Sequence, residues 1–331
     1  MILQPAIIAL IIDSFCVCLI CAYASWLGIA IVRKWDLASG SSQQLDFERK
    51  TYLISTILGY VMLFEILSLF LLVVTADEIH TMFTGAMCAA GTFFVNGFGY
   101  PALIVKLINT LLCGCWLIIN YLDNKGMDYP LIRIKYVFLL FVTAGVLVGG
   151  FCQFAWFMGL KTNTITSCCG TLFSVSRTGM ISDIVAFPAT PAMIAFFTMA
   201  GLTILAGLIY YTTGKGAGLY GVLSGGFFPV SLIALLSFIC VYYYQLPTHH
   251  CPFCILQKEY YYIGYLLYTS LFGSTVFGLS TGIAHLFRNK PSLKVFIPPV
   301  QHKLAFLALF CQLVFVLTTL APILFTEFRL L

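Results

Sequence analysis

The sequence predicts an all-α, polytopic transmembrane helical bundle of about eight spans, forming a single integral membrane domain over residues 1–331. Of its 331 residues, 61% are hydrophobic and only 9% are charged, whereas about 25% of residues are charged in a soluble domain. Mean hydropathy is +1.00, so most of the surface must face lipid. The net charge of +5 is not concentrated in one patch, which argues against nucleic acid as a partner.

Each long apolar run has the length of about 20 residues that a helix needs to cross the hydrocarbon core. No basic segment precedes the first run, so this run is interpreted as a retained helix and not as a signal peptide. The predicted spans are 6–32, 51–76, 101–122, 136–160, 189–212, 219–245, 259–285 and 304–326.

The distribution of basic residues predicts the orientation of these spans. Twelve Lys and Arg residues fall in the odd-numbered loops, against four in the even-numbered loops and the C-terminal tail. Cytoplasmic loops are enriched in Lys and Arg, so the odd loops are expected in the cytoplasm and both termini outside. The outer loops are then 77–100, 161–188 and 246–258.

The reactive side chains are concentrated in these three outer loops. Eight of the thirteen cysteines lie inside apolar spans, where a free cysteine packs as a small hydrophobe. The other five cysteines and three of the five histidines occupy the outer loops, which predicts one composite site. These residues are Cys88, Cys168, Cys169, Cys251, Cys254, His80, His249 and His250.

The sixth loop has the most specific pattern, a C-x-x-C motif at Cys251 and Cys254 that follows two histidines. Pro252 is suited to the first turn of a helix, so the motif is expected to open the seventh span. Helix-terminal amides and a neighbouring imidazolium would lower the thiol pKa and favour thiol–disulfide exchange. Thiolates and imidazoles also suit copper or zinc.

The stretch 251–258, CPFCILQK, resembles the C-P-x-C-x-x-Q-R stretch of the DsbB family of membrane disulfide oxidases. The resemblance implies that Cys251 and Cys254 form a redox pair, and that Gln257 and Lys258 lie beside a bound quinone. It also implies a bacterial inner membrane, with the site facing the periplasm and a thiol-containing periplasmic protein as partner. That family has fewer spans, and Lys does not replace Arg at a planar contact.

The second and fourth loops supply the remaining candidates. Cys168 and Cys169 are adjacent, and neighbouring cysteines pair with each other only by distorting the peptide between them. They are expected either to relay electrons to the C-x-x-C motif or to form a structural disulfide with Cys88. Loop 77–100 is too apolar for a solvated loop, so it is expected to fold back onto the membrane or among the helices.

Two alternatives for the second loop are a packing role and a Cu(I) site that includes Met82 and Met87. The full set of predicted metal ligands is His80, His249, His250, Cys88, Cys251 and Cys254.

Three charged residues lie within the spans, where a charge is costly and is by default functional or paired. Lys106, near the outer end of its span, is expected to reach Asp77 or Glu78. Glu65 is the deepest of the three. It is expected either to serve a proton path or to make an interhelical hydrogen bond. Asp13 is the third.

Three functional hypotheses follow. The first is a thiol–disulfide oxidoreductase that passes electrons between outer cysteines and a membrane quinone. The second is a protein that handles copper or zinc through the outer His and Cys residues. The third is a structural subunit that assembles with other membrane subunits. The sequence has no phosphate-binding loop and no C-x-x-C-H motif, which argues against an ATPase and a c-type cytochrome.

Overall fold

The protein is described from a computed structural model, which covers residues 3–36, 39–126, 128–161, 164–166 and 188–330. Within these residues, eight helical segments are long and apolar enough to cross a membrane, which confirms the predicted class of integral membrane protein. Cys168 and Cys169 lie outside the described residues. The helices are α1 Pro5–Lys34, α2 Ser42–Glu78, α3 Ala89–Phe93, α4 Gly99–Asp123, α5 Ile132–Met158, α6 Ala189–Thr213, α7 Ala217–Ala234, α8 Cys240–Tyr244, α9 Ile263–Leu286 and α10 Ile297–Phe325.

Residue contacts group the chain into two compact units. The first unit contains Met1–Ala76, Val95–Lys161 and Phe287–Pro298. The second contains Asp77–Phe94, Thr162–Leu286 and Pro299–Leu331. Residues 77–94 of the second loop and the whole of the sixth loop therefore belong to the second unit.

Helix α2 begins nine residues before its predicted span, at Ser42 instead of 51. Ser41 acts as its N-cap, with the hydroxyl accepting a hydrogen bond from the Gln44 N–H at 3.2 Å. Such a cap typically stabilises a helix by about 1 kcal/mol. An Asp46–Lys50 ion pair at 2.6 Å follows on the exposed first turns. Capping and an i,i+4 pair therefore extend the helix beyond its apolar run.

Small residues bring α7 and α9 together in the second unit. A Cβ atom on Gly221 would lie 2.6 Å from the Cα atom of Gly282, so neither position has room for a side chain. One turn away, Gly278 faces Ser224 in the same way. Such small-residue contacts are typical of helix pairs in membranes. These contacts fix α7 against α9, and the sixth loop lies in the segment of chain between these two helices.

A buried ion pair joins α4 and α5 in the first unit. Lys135 Nζ lies 2.5 Å from an Asp123 carboxylate oxygen, and both side chains are fully buried. Lys135 also donates to Ser55 Oγ at 3.0 Å, and Asp123 accepts the Leu131 N–H at 2.9 Å. The sequence placed Lys135 in a loop, whereas the structure places it in the first turn of α5, beside its carboxylate partner.

Candidate metal centre

The sulfur atoms of three cysteines meet in the second unit. Cys88, Cys251 and Cys254 have their Sγ atoms all within 4.8 Å of one another. The Cys88 and Cys251 sulfurs are 3.5 Å apart although 163 positions separate them in the sequence. Relative exposures are 0%, 1% and 6%, so the cluster is closed to bulk solvent. This confirms the prediction that the second and sixth loops converge.

The second loop reaches the cluster through the short helix α3. Cys88 occupies the N-cap position, with an extended backbone. The Asp77 carboxylate accepts a hydrogen bond from the Ala89 N–H at 3.1 Å, which satisfies one free amide of the first turn. Residues 88–93 are all buried. The prediction that this apolar loop folds in among the helices is therefore confirmed for residues 88–93.

The fourth loop contacts the second loop just before Cys88. Thr166 donates its N–H to the Thr84 carbonyl at 2.9 Å, and Thr84 forms a bridge with Ile165. Gly85 has a φ of +85° and its Cα lies against the Thr166 carbonyl, where a Cβ atom would collide. Glycine is required here both for the left-handed backbone and for the close approach.

The sixth loop differs from the expected helix start. Cys254 begins a 3₁₀ turn that ends at Leu256, a second turn covers Lys258–Tyr260, and α9 begins only at Ile263. Tyr261 and Tyr262 have φ values of +53° and +56°, and successive left-handed residues break a right-handed helix. The prediction that Cys251 opens the span is wrong.

The predicted lowering of the thiol pKa is also wrong for Cys251. Burial raises the pKa of this thiol well above its usual range, and a hydrogen bond with Cys254 raises it further. The contact with Cys88 acts in the opposite direction without cancelling the effect of burial. A buried thiolate is therefore disfavoured unless a cation accompanies it.

Two tyrosines from the neighbouring helices fix the backbone of the motif. The Tyr244 hydroxyl donates to the Cys251 carbonyl, and the Tyr268 hydroxyl donates to the Pro252 carbonyl, both at 2.5 Å. Sequence reasoning missed both residues, because tyrosines are frequent in membrane helices and their sequence positions do not show that they converge on one loop. Their contacts orient the loop that carries two of the three sulfurs.

Gln257 links the sixth loop to the second. Its amide nitrogen donates to the Asp77 carboxylate at 3.2 Å and to the Met87 carbonyl at 3.0 Å. Asp77 thereby holds both the helix that starts after Cys88 and the segment that follows Cys254. Gln257 was predicted as a cofactor-binding residue, whereas these bonds assign its amide group to positioning the two loops. Lys258 is exposed.

Two of the predicted histidine ligands make other contacts. His80 Nδ1 hydrogen-bonds the Asp77 carbonyl within the same turn. The His249 ring packs edge-on against the Tyr244 ring, with centroids 4.4 Å apart. Among the described residues, the close group of ligand atoms consists of three cysteines and no histidine. Met82 and Met87 are exposed.

His250 ties the C-x-x-C motif to the adjacent helical segment. Its Nδ1 atom lies 2.8 Å from the Leu236 carbonyl oxygen, which accepts the ring N–H. Leu236 belongs to a π turn, Leu235–Ile239, that separates α7 from α8. Turns of this kind are frequent at functional sites. The hydrogen bond fixes the chain immediately before Cys251, which is a positioning role.

The spacing of the three sulfurs fits a metal ion. Sulfurs bound at about 2.3 Å lie about 3.8 Å apart around a tetrahedral ion and about 4.0 Å apart around a trigonal ion. The Cys88–Cys251 distance of 3.5 Å is slightly shorter than these values, and all three sulfurs lie within 4.8 Å of one another. A disulfide requires about 2.05 Å, and no disulfide joins any two of these three cysteines.

A scan against protein-family models, a search of curated proteins and a search of solved structures each returned no match for this chain.

Proposed function

We propose that this protein is an integral membrane Cu(I)-handling protein that holds the ion at Cys88, Cys251 and Cys254. The observation that carries the proposal is the convergence of three buried sulfurs from two distant loops. Soft thiolates favour Cu(I), zinc or iron–sulfur centres over hard cations. A bound cation also offsets the cost of ionising thiols that burial otherwise keeps protonated.

The number of ligands favours Cu(I) over zinc. Structural zinc sites are almost always closed by four protein ligands. In the part of the chain that the structure describes, the group contains three sulfurs and no His, Asp or Glu. Three sulfurs complete the trigonal coordination that Cu(I) accepts. The apolar surroundings exclude water, which protects the reduced ion from oxidation.

Metal binding to purified protein tests the proposal. Reduced protein in detergent, titrated anaerobically with Cu(I) against a competing chelator, is expected to bind one ion per chain with high affinity. A parallel titration with zinc is expected to show much weaker binding. Preferred binding of zinc would contradict the assignment of the ion, and binding of neither ion would contradict the proposal.

The apparent affinity for Cu(I) is expected to rise with pH through and above the usual range of a thiol. Binding requires deprotonated sulfur, and the raised pKa of Cys251 keeps its proton in place as pH increases. Affinity should change by about tenfold per pH unit for each proton released. Chelator competition at several pH values measures this slope, and an affinity that is independent of pH would contradict thiolate ligation.

Replacement of Gln257 by leucine is expected to weaken Cu(I) binding by about 10-fold, as groups that orient ligands usually contribute. The variant loses both hydrogen bonds that tie the sixth loop to the second. Replacement of the exposed neighbour Glu259 by glutamine is the matched control and should leave the affinity unchanged. Equal affinities for the two variants would show that Gln257 does not position the sulfurs.

Thiol–disulfide exchange is the second candidate function. It is favoured by the 3.5 Å contact between the Cys88 and Cys251 sulfurs, since a small rotation would bring them to bonding distance. Oxidation of two thiols to a disulfide releases two electrons and two protons, which a membrane quinone accepts to become a quinol. Cys254 would be the third sulfur through which the disulfide exchanges.

Anaerobic incubation with a soluble quinone tests this candidate. A disulfide between Cys88 and Cys251, or between Cys251 and Cys254, should form together with one quinol per chain, as read by mass spectrometry and absorbance. Formation of quinol that persists unchanged in Cys251→Ser would contradict this function. The Cu(I) titration is independent of that result.

A further inference from the structure

A polar cluster is buried among the helices of the first unit. Lys106 Nζ lies 3.4 Å from a Glu65 carboxylate oxygen, and these side chains are only about one-twentieth exposed. Lys106 also donates to Gln153 Oε1 at 3.2 Å. Gln153 in turn donates to Ser14 Oγ at 2.9 Å. The sequence predicted that Lys106 reaches Asp77 or Glu78. In the structure its carboxylate partner is Glu65.

A second carboxylate belongs to the same cluster. Asp13 interacts electrostatically with both Lys106 and Glu65, and approaches Ser68. Ser68 is itself bonded to the Glu65 carbonyl at 2.8 Å. One oxygen of Asp13 is buried and has no hydrogen-bond partner in the described residues. Two acids thus share one ammonium group.

Asn109 is a neutral polar neighbour of the two acids. It is fully buried, one turn after Lys106 on α4, and its side chain lies beside Glu65. An amide can donate to an ionised carboxylate or accept from a protonated carboxyl group, so Asn109 accommodates either protonation state of Glu65.

We propose that Asp13, Glu65 and Lys106 form an intramembrane proton-binding site that holds one proton between its two carboxyl groups. With both acids ionised the cluster carries one net negative charge, which is expensive at membrane depth. One bound proton makes it neutral. Since both acids interact with Lys106 and with each other, either of them can hold the proton.

The hydrogen bonds of the cluster extend to the edge of a cavity. Ser14 and Gln153 line a predominantly apolar cavity of about 320 Å³ between α1 and α5. The hydrogen bonds from Lys106 through Gln153 to Ser14 therefore end at the lining of this cavity. The titratable groups that interact with Glu65 from the helices packed against it are Asp13, Cys18 and Cys21 on α1 and Lys106 and Cys113 on α4.

Infrared spectroscopy of the protein in detergent counts protonated carboxyl groups directly. The wild type at neutral pH should show the carbonyl band of one protonated carboxyl that is absent from both Asp13→Asn and Glu65→Gln. In each variant the remaining carboxylate pairs with Lys106, and no proton is needed for neutrality. Asp46→Asn, which changes an exposed acid on α2, should leave the band unchanged.

Lys106→Met should increase the band about twofold, because both acids then need a proton. If that variant does not fold, the two acid variants still decide the question. A wild-type spectrum without the band, or a band retained in both acid variants, would overturn the proposal. Neither result would affect Cu(I) binding by the cysteines, which lie in the other unit.

Discussion

Replacement of Cys88 by serine is expected to lower the affinity for Cu(I) by more than about 100-fold. Replacing a residue that only orients a metal ligand already lowers metal affinity by about 10–100-fold. Serine is nearly the same size as cysteine but offers a hard, protonated oxygen in place of a soft thiolate. Cys251→Ser and Cys254→Ser should have effects of the same order. The Cys88 variant is the most informative, because a simple C-x-x-C site would not require it.

Competition titrations with a Cu(I) chelator measure these affinities. Cys113→Ala is the control, because Cys113 is fully buried but lies in the first unit and does not belong to the group of three sulfurs. This variant should bind Cu(I) like the wild type. Wild-type affinity in Cys88→Ser would show that the second loop contributes no ligand.

Replacement of Lys135 is expected to destabilise the protein by about 3–5 kcal/mol, because removing one partner of a buried ion pair leaves the other charge buried and uncompensated. In Lys135→Met the Asp123 carboxylate would remain fully buried without its cation. The double change Lys135→Met and Asp123→Leu removes both charges and should recover most of the lost stability. Such replacements of whole buried pairs are often neutral.

Equilibrium unfolding in mixed detergent micelles gives the free energy of unfolding of each variant. Lys50→Met is the control, because it removes the exposed Asp46–Lys50 pair and should change the stability little. A Lys135→Met variant as stable as the control would contradict the structural importance of the buried pair. A double variant less stable than Lys135→Met would contradict the charge-based explanation.

The spans could be predicted from sequence because their cause is local. A run of about 20 apolar residues must find lipid wherever it lies in the chain, and all eight runs are helical. The ends were less predictable. The start of α2 depends on the Ser41 cap. The late start of α9 depends on the left-handed backbone at Tyr261 and Tyr262, which no hydropathy pattern indicates.

The candidate site could be predicted only in part. Positive-inside counting places the second and sixth loops at one membrane face, and Cys88 does meet Cys251. The sidedness of that face and of the termini stays a prediction. The roles of Gln257 and His250 could not be predicted, because their partners Asp77 and Leu236 are distant in sequence. Burial, which reverses the expected pKa shift of Cys251, is likewise a property of the folded chain.

X-ray absorption spectroscopy of the Cu(I)-loaded protein tests the central claim most directly, because it counts the sulfur atoms bound to the metal. The geometry of Cys88, Cys251 and Cys254 predicts three sulfur neighbours in the wild type and two after Cys88→Ser. Two sulfurs in both proteins, or nitrogen ligands in the wild type, would contradict a three-cysteine centre.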